Sequence, residues 1–441
     1  MDSKQDGPIL SNLEADMWLV ASLNISIAVL LLLSPFWWSK KYFGLPFFNP
    51  ISIVTIFLIP FDLFKLIAGP FFILGNLTDF GYQFAVLMTN VEKFVALIVF
   101  IFFVRWRGSR KIVHVIPRMS DWSESKLKYL SYVFYFLFLI CFIFLASKTG
   151  GVVDWIANPR LSYMTKRDGN GIYYALCVSL VSISYFLFSW ATDRFIKLTL
   201  GAILFTSSVY FLGSKGFVLS FFSFYIVAVW RIDRDKSEKM FWIGAPIAFF
   251  ALLLNFFSGG GDANYSSVLE YFDYYITAAR YYTDYFEGKI NLFSGQVILT
   301  SLWEYIPRGM YPEKPYVYGI LHVVEFYYPG GAESGNTPAF DGGVFKFADF
   351  GVAGVFVLSF FDFSIPIKAI LLRFVFDGEG IVFQKKYSKM KILASVLIFS
   401  PAFGAFFSSG LLIGLLLAIM IISVVSLKGR STLVKLKRLG V

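Results

Sequence analysis

Residues 128–147 read KYLSYVFYFLFLICFIFLAS, with a single charged side chain at Lys128. About 20 apolar residues of α-helix cross the roughly 30 Å hydrocarbon core of a bilayer, so this stretch predicts a membrane-spanning helix. Similar stretches recur along the chain, which has 441 residues, of which 57% are hydrophobic and 15% charged. Soluble domains carry about 25% charged residues. The composition therefore predicts an all-α polytopic membrane protein.

The apolar stretches predict about eleven transmembrane helices, within a range of ten to fourteen. The second of them carries Asp62 and Lys65, and we expect it to be broken or re-entrant, because charges within a span usually face protein or water. Residues 361–384 fit either the continuation of a span or an interfacial helix. The predicted spans are residues 17–38, 50–74, 88–105, 128–147, 172–190, 197–213, 216–230, 240–257, 347–365, 391–408 and 410–427.

The lysines and arginines orient these helices. Most of them lie in short connections on one side, which the positive-inside rule assigns to the cytoplasm together with the C-terminus. The formal net charge of +10 is explained by these connections, so we exclude a nucleic-acid-binding function. Binding of anionic lipid head groups by the basic C-terminal tail is an open alternative.

The same orientation divides the chain into three parts. An N-terminal transmembrane bundle comprises residues 1–257 and includes a short outer loop at 148–171. A long outer loop comprises residues 258–346, and residues 347–441 contain the last transmembrane helices and the basic cytoplasmic tail. Loops as long as the second part are unusual without structure of their own and are often functional.

Two smaller features complete the predicted outer face. Residues 75–87 are expected to be a connection there, and Gly213-Ser214-Lys215-Gly216 a tight turn between two spans. Within the long loop, the tyrosine-rich segment 267–287 predicts a helix that ends at Gly288.

Each outer loop carries an arginine with a glycine eleven positions downstream, at Arg160 and Gly171 and at Arg308 and Gly319. One pair at this spacing is expected by chance in a chain with 14 arginines and 35 glycines, so location gives the pairs their weight. Arginine offers a planar fork matched to phosphate oxygens, and glycine allows close approach of the backbone. The alternative is a surface arginine paired with a nearby acid, namely Asp154 or Asp168 for the first and Glu304 or Glu313 for the second.

In this layout and these motifs the chain resembles the bacterial O-antigen polymerases, which polymerise oligosaccharide repeat units. The loops read RLSYMTKRDGNG at 160–171 and RGMYPEKPYVYG at 308–319, and the turn GSKG at 213–216 and the stretch between 335 and 351, with GNTPAF and DFG, are also similar. The resemblance implies a metal-independent glycosyltransferase at the periplasmic face of the inner membrane, without a cofactor. Its substrates would be oligosaccharides on undecaprenyl pyrophosphate, and its protein partners a flippase and a chain-length regulator.

Site residues follow as hypotheses from this chemistry. Cations stabilise the charge of a leaving pyrophosphate, and the candidates are Arg308, Arg160, Lys215 and Arg280. Attack by a sugar hydroxyl needs a general base, for which the candidates are Glu304 and His322. No spaced cluster of metal ligands is present in the sequence.

Each of these residues also has a structural interpretation. Lys215 fits a lysine snorkelling at the membrane edge, and Arg280 fits an ion pair with Asp284 four residues on. Glu304 fits an ion-pair partner of Arg308, and His322 a packed or solvated loop residue.

Two other functions stay open from the sequence. A lipid-linked-oligosaccharide flippase or other transporter would explain Asp62 and Lys65 within a span, although transporters often show paired repeats, and no internal repeat is visible here. An O-antigen ligase would share the polymerase chemistry and differ in its acceptor.

Overall fold

The computed structural model describes residues 7–63, 65–66, 78–109, 123–166, 170–213, 215–257, 275–306, 308, 311–334, 340–376 and 398. Every regular element within these ranges is a helix, which confirms the predicted all-α class for this part of the chain. The α-helices are α1 (Gly7–Phe43), α2 (Pro50–Leu63), α3 (Phe80–Arg105), α4 (Glu124–Lys148), α5 (Val152–Ala157), α6 (Pro159–Lys166), α7 (Gly171–Trp190), α8 (Phe195–Tyr210), α9 (Lys215–Ile232), α10 (Arg234–Phe257), α11 (Tyr275–Phe286), α12 (Gln296–Thr300), α13 (Leu321–Tyr327), α14 (Gly331–Ser334), α15 (Val344–Phe360) and α16 (Ser364–Phe376). A 3-10 helix, Ser301–Tyr305, follows α12 directly.

Five segments of the described chain are long and apolar enough to cross a membrane: Met17–Phe43, Phe80–Arg105, Glu124–Lys148, Tyr173–Trp190 and Val344–Phe376. Shorter apolar helices at Phe195–Tyr210 and Gly216–Ile232 add to them. The protein is therefore a multi-span membrane protein, whereas the count of eleven spans stays a prediction. Its last two spans, 391–408 and 410–427, lie outside the described residues apart from Ile398.

The start of α3 corrects the prediction. The helix begins at Phe80 rather than at residue 88, so residues 80–87 are not a connection but the first two turns of a helix. Asp79 caps this helix by accepting the N–H of Tyr82 at 2.8 Å. The polar Gln83 weakens the apolar pattern here, but Asn24 of α1 donates hydrogen bonds to its side-chain oxygen and to its carbonyl oxygen, both at 3.0 Å. Buried amides of this kind join membrane helices through hydrogen bonds. Hydropathy records only the polarity of Gln83, so it misses this part of the helix.

The second predicted span, residues 50–74, is described only in part. Helix α2 is described from Pro50 to Leu63, residues 65–66 are helical as well, and residues 64 and 67–74 lie outside the described part. Its charged side chains have partners, and the nearby ion pairs tie α2 and α3 to the long loop and to the start of α15. The pairs are Asp62 with Lys93 at 3.5 Å, Lys65 with Asp341 at 2.6 Å, and Glu92 with Lys346 at 2.7 Å.

The long loop is anchored on the membrane helices by α11. This helix confirms the predicted tyrosine-rich helix for Tyr275–Phe286, while residues 267–274 lie outside the described part. It packs so closely on α3 that a Cβ at Gly81 would lie 2.3 Å from the carbonyl oxygen of Ala279. The fully buried Tyr282 donates a hydrogen bond to the carbonyl oxygen of Gly342 at 2.6 Å.

Helix α16 resolves the described part of the ambiguous region 361–384. Helix α15 ends at Phe360, and α16 then packs along the end of α3, where Arg373 donates a hydrogen bond to the carbonyl oxygen of Val104. Together α15 and α16 make the fifth candidate span.

Candidate functional site

The platform of the candidate site is the helical segment 296–305 of the long loop. Gly295, with a φ of 96°, precedes α12, which continues directly into the 3-10 helix. Asp349 of α15 fixes the start of the platform, because its carboxylate accepts the N–H groups of Val297 at 3.0 Å and Ile298 at 2.7 Å. Hydrogen bonds to a charged acceptor are stronger than neutral ones. A membrane helix therefore holds the platform in place.

Thr300 joins the platform to the two segments that face it. Its hydroxyl group donates to the carbonyl oxygen of Gln296, accepts the N–H of Gly319 at 2.9 Å and lies 3.2 Å from Nε2 of His322. With the hydroxyl proton of Thr300 directed to Gln296, the arrangement favours the tautomer of His322 that carries its hydrogen on Nε2 and donates it to Thr300. The other ring nitrogen, Nδ1, then holds the lone pair that can accept a proton.

Glu304 lies on the far end of the same platform and packs against Gly319. Its Oε1 would be 3.1 Å from a Cβ added at Gly319. Although the residue is exposed as a whole, the surrounding protein desolvates the carboxyl group and raises its pKa, which the positive charge of Lys314 partly offsets. A raised pKa brings a carboxylate closer to the range in which a general base works best.

The side chain of Arg308 holds the loop that follows it in a closed conformation. Its guanidinium donates hydrogen bonds to the carbonyl oxygens of Pro312 at 3.4 Å, Lys314 at 2.6 Å and Pro315 at 3.1 Å. The same group stacks over the ring of Tyr316, with 3.9 Å from Cζ to the ring centroid. The segment from Arg308 to Gly319 therefore forms a closed loop. Arg308 holds one end of this loop, and the chain turns back at Gly319 at the other end.

The acids expected to pair with Arg308 do not do so. Neither Glu304 nor Glu313 is within 4 Å of its guanidinium, and the same holds for every other described carboxylate. Two of its five N–H groups, at Nε and Nη2, have no hydrogen-bond partner in the described part of the chain. Carbonyl oxygens do not neutralise a guanidinium charge, so this charge is available to an anionic ligand.

Lys314 adds a second cation between Arg308 and Glu304. Its ammonium group donates to the carbonyl oxygen of Ile306 at 3.1 Å and lies 4.1 Å from the ring centre of Tyr318. Burial lowers its pKa, and the charge of Arg308 lowers it further, while Glu304 acts in the opposite direction. Two cations, a carboxylate and an imidazole therefore lie around one loop.

Arg160 belongs to a separate group of contacts. It lies on α6, donates to the carbonyl oxygen of Gly213 at 3.4 Å and stacks over Tyr163 at 5.1 Å. It thereby reaches the turn that carries Lys215, which is the first residue of α9 and whose side chain lies outside the described part. Gly171 is exposed at the start of α7, and no described residue would lie within 4 Å of a Cβ added there.

Arg280 lies in the arrangement expected for an ion pair with Asp284. Its Nε lies 3.9 Å from Oδ2 of Asp284, and its guanidinium stacks over Tyr327 at 4.8 Å. The side chain is largely exposed on α11 and has no contact with the Arg308 loop among the described residues.

Three residues of the site were not predicted from the sequence: Thr300, Lys314 and Asp349. The position of Lys314 inside the loop 308–319, and that of Asp349 inside a stretch already singled out, were the available signals. Nothing in the sequence marked Thr300, because its partners at Gly319 and His322 are 19 and 22 residues away.

The two loop glycines are expected to respond differently to substitution. Gly319 has a φ of 56° and faces Glu304, so Gly319→Ala should destabilise the protein by about 1–2 kcal/mol, the cost of a left-handed conformation for an L-residue. Gly171 has open space around it, so Gly171→Ala should leave stability unchanged or slightly raised. Thermal unfolding of the two purified variants measures this difference, and equal midpoints would contradict it.

The chemistry available at the Arg308 loop is anion binding combined with proton transfer. Its cations suit phosphate oxygens, and its carboxylate and imidazole groups can accept a proton. In the described part of the chain, no group of three or more histidine, cysteine, aspartate or glutamate side chains is placed to hold a metal ion.

These features describe a multi-span membrane protein, helical throughout its described part, with two cationic side chains, a carboxyl group and an imidazole on a loop packed against its spans. Over 208 residues the chain is 26% identical to proteins named O-antigen polymerase from Salmonella typhimurium (strain LT2) and Salmonella typhi. The matched region is 45% of this chain and 49% of each polymerase, so it spans about half the length of these relatives. This similarity confirms the resemblance predicted from the sequence. No family model and no solved structure matches the chain.

Proposed function

We propose that the protein polymerises oligosaccharide repeat units carried on undecaprenyl pyrophosphate, at the periplasmic face of the inner membrane. The observation that carries this proposal is the loop 308–319, which gathers Arg308, Lys314, Glu304 and His322 around one closed turn. The similarity to proteins named O-antigen polymerase supports the same assignment. In this topology both outer loops face the periplasm, the C-terminus is cytoplasmic, and eleven helices span the membrane.

The reaction transfers a growing glycan from its pyrophosphate carrier to a single repeat unit. The hydroxyl oxygen of the acceptor sugar attacks the anomeric carbon of the donor, while the bond from that carbon to the pyrophosphate oxygen breaks. The hydroxyl proton passes to a general base, and the electron pair leaves on the pyrophosphate. Preorganised cations aimed at the developing charge are the main source of rate enhancement in such a step.

Arg308 is the cation best suited to the leaving group. Its guanidinium is fixed by three carbonyl oxygens and a tyrosine ring, so little ordering is required when a ligand binds. Lys314 adds charge close by, and its lowered pKa means that burial opposes its charged form until an anion arrives.

Glu304 and His322 are the two candidates for the base. Desolvation raises the pKa of Glu304, and burial lowers the pKa of His322, so that its neutral form persists below the usual range. Both lie next to the junction of Thr300 and Gly319. One residue accepts the proton, and the other shapes the pocket.

Arg160 and the turn at Gly213 form a second cationic group on the short loop. The reaction requires two carriers, each with a pyrophosphate. We assign Arg160 and Lys215 to binding one of them and Arg308 to the other. A flippase that supplies the repeat units and a chain-length regulator are the partners this reaction requires.

Deletion of the gene tests the proposal directly. A polymerase mutant should still attach single repeat units to the outer glycolipid and should lose all longer bands in a gel of surface polysaccharide. Lipid-linked units should accumulate on the periplasmic leaflet. Accumulation on the cytoplasmic leaflet would identify a flippase, loss of every repeat unit from the glycolipid would identify a ligase, and a normal ladder would refute all three.

A further inference from the structure

Asp349 is a buried carboxylate at a bend in a membrane helix. The residue is 1% exposed, and the two residues that follow leave helical geometry, with φ and ψ of −134° and 15° at Phe350 and of 62° and −148° at Gly351. The second of these conformations is open to glycine and almost closed to other residues. The bend is therefore built into the sequence, and Asp349 is the last residue before it.

The start of the platform wraps around this bend. The N–H of Phe293 donates to the carbonyl oxygen of Ala348 at 2.9 Å, and a Cβ added at Gly295 or at Gly351 would come within van der Waals distance of Phe350 or of Leu292, respectively. The two oxygens of Asp349 then accept the N–H groups of Val297 and Ile298, the second and third residues of the platform, more than fifty residues away in the chain.

No basic side chain among the described residues pairs with Asp349. Its charge is compensated by the two N–H groups and by the positive end of the helical segment that begins there. Its negative charge acts electrostatically on two titratable groups of other elements: His322 on α13, and Tyr281 on α11, whose buried hydroxyl group has no hydrogen-bond partner among the described residues. Thr300 is the polar group of the platform that contacts His322.

We infer that Asp349 is a positioning residue for the transfer reaction: it holds the platform of Thr300 and Glu304 against His322 and supplies the negative charge that faces the imidazole. This inference rests on the proposed function and assigns His322 the role of base. Asp349 touches neither substrate nor the reacting atoms. It acts through the platform and through the protonation of His322.

The negative charge of Asp349 determines the direction in which the pH dependence should shift when that charge is removed. Burial lowers the pKa of His322, and the negative charge of Asp349 partly restores it. A base works in its neutral form, so activity is lost as the pH falls through the pKa of His322. Removing the charge of Asp349 lowers that pKa further and moves the acidic limb of the pH–rate profile to lower pH.

Asp349→Asn keeps the shape of the side chain and removes its charge. We compare it with wild type and with Asp79→Asn, a matched control in which another capping aspartate, at the start of α3, loses its charge. The purified proteins are reconstituted with lipid-linked repeat units extracted from the deletion strain, and elongation is measured between about pH 5 and pH 8, the range in which histidine titrates. Amide hydrogen exchange of residues 296–305 is measured on the same preparations.

Asp349→Asn should elongate at least about tenfold more slowly than wild type, since a general base contributes about 10²–10⁴-fold. Its acidic limb should move to lower pH, and the amides of Val297 and Ile298 should exchange faster. Asp79→Asn should match wild type in all three. Elongation within twofold of wild type, or slower elongation with an unmoved acidic limb, would overturn the inference. If wild type itself elongates nothing, the proposed function fails, and unchanged exchange at Val297 and Ile298 would then refute the positioning role separately.

Discussion

An Arg308→Ala variant is expected to abolish polymer while leaving single repeat units attached to the outer glycolipid. The substitution removes the fixed guanidinium proposed to stabilise the leaving pyrophosphate, and losing one such donor costs about 10²–10³ in rate. It also releases the carbonyl oxygens of Pro312, Lys314 and Pro315, so the loop loses its closed form. Surface-polysaccharide gels of the deletion strain carrying the variant measure the outcome.

Two further variants show what Arg308 does. Arg308→Lys should fail as well, because an ammonium group cannot reproduce a planar fork that bonds three carbonyl oxygens and stacks on Tyr316. Lys289→Ala removes a cation from the same long loop, one that is exposed and paired with Asp284 and Glu287, and should give a normal ladder. A wild-type ladder from Arg308→Ala, at a protein level equal to wild type, would contradict the role of this residue.

Gly213→Ala is expected to have the largest effect on the short-loop group of contacts. Gly213 has a φ of 74°, and a Cβ there would lie 2.2 Å from the carbonyl oxygen of Pro159 and 2.6 Å from Cβ of Tyr163. The strained backbone and the collision together should cost about 2–4 kcal/mol. Helix α6 would be pushed away, and Arg160 would lose its contact with the turn.

The control for this variant lies in the same turn. Gly216 has no neighbour within 4 Å of an added Cβ and no left-handed φ, so Gly216→Ala should stay within about 1 kcal/mol of wild type. Thermal unfolding of the purified variants compares the two, and polysaccharide gels report the loss of polymer. If both variants unfold at the same temperature, the close packing of α6 on the turn is wrong.

The sequence predicts well those features that depend on neighbouring residues. Apolar runs predict helices because spanning a bilayer requires a minimum apolar length, and the described spans follow these runs. The loop between Arg308 and Gly319 is predictable as a unit for the same reason, since the guanidinium closes it on carbonyl oxygens within seven residues.

Features that depend on contacts between residues distant in the chain are not predicted from the sequence. Asp349 bonds to residues 51 and 52 positions away, and Arg160 to a carbonyl oxygen 53 positions away. The sequence does not predict the first turns of α3, because the hydrogen bond that Gln83 accepts comes from Asn24, 59 positions away. Hydropathy records the polarity of such a side chain but not its partner.

The two charged residues of the second predicted span show the same limit of prediction from sequence. Asp62 and Lys65 favour a transporter when their partners are unknown, because isolated charges within a span usually mark a pathway. In the structure they pair with Lys93 and Asp341, the latter in the long loop. The Lys65–Asp341 ion pair joins this predicted span to the loop proposed to carry the active site.

The most direct test of the central claim is polymerisation by the purified protein alone. The protein is reconstituted in liposomes with repeat units that carry their lipid pyrophosphate, extracted from the deletion strain. The products are then resolved by length. We predict a ladder of two or more repeat units with release of free polyprenyl pyrophosphate, and no ladder with Arg308→Ala. Repeat units that stay single, with the carrier intact in the presence of wild-type protein, would contradict the account.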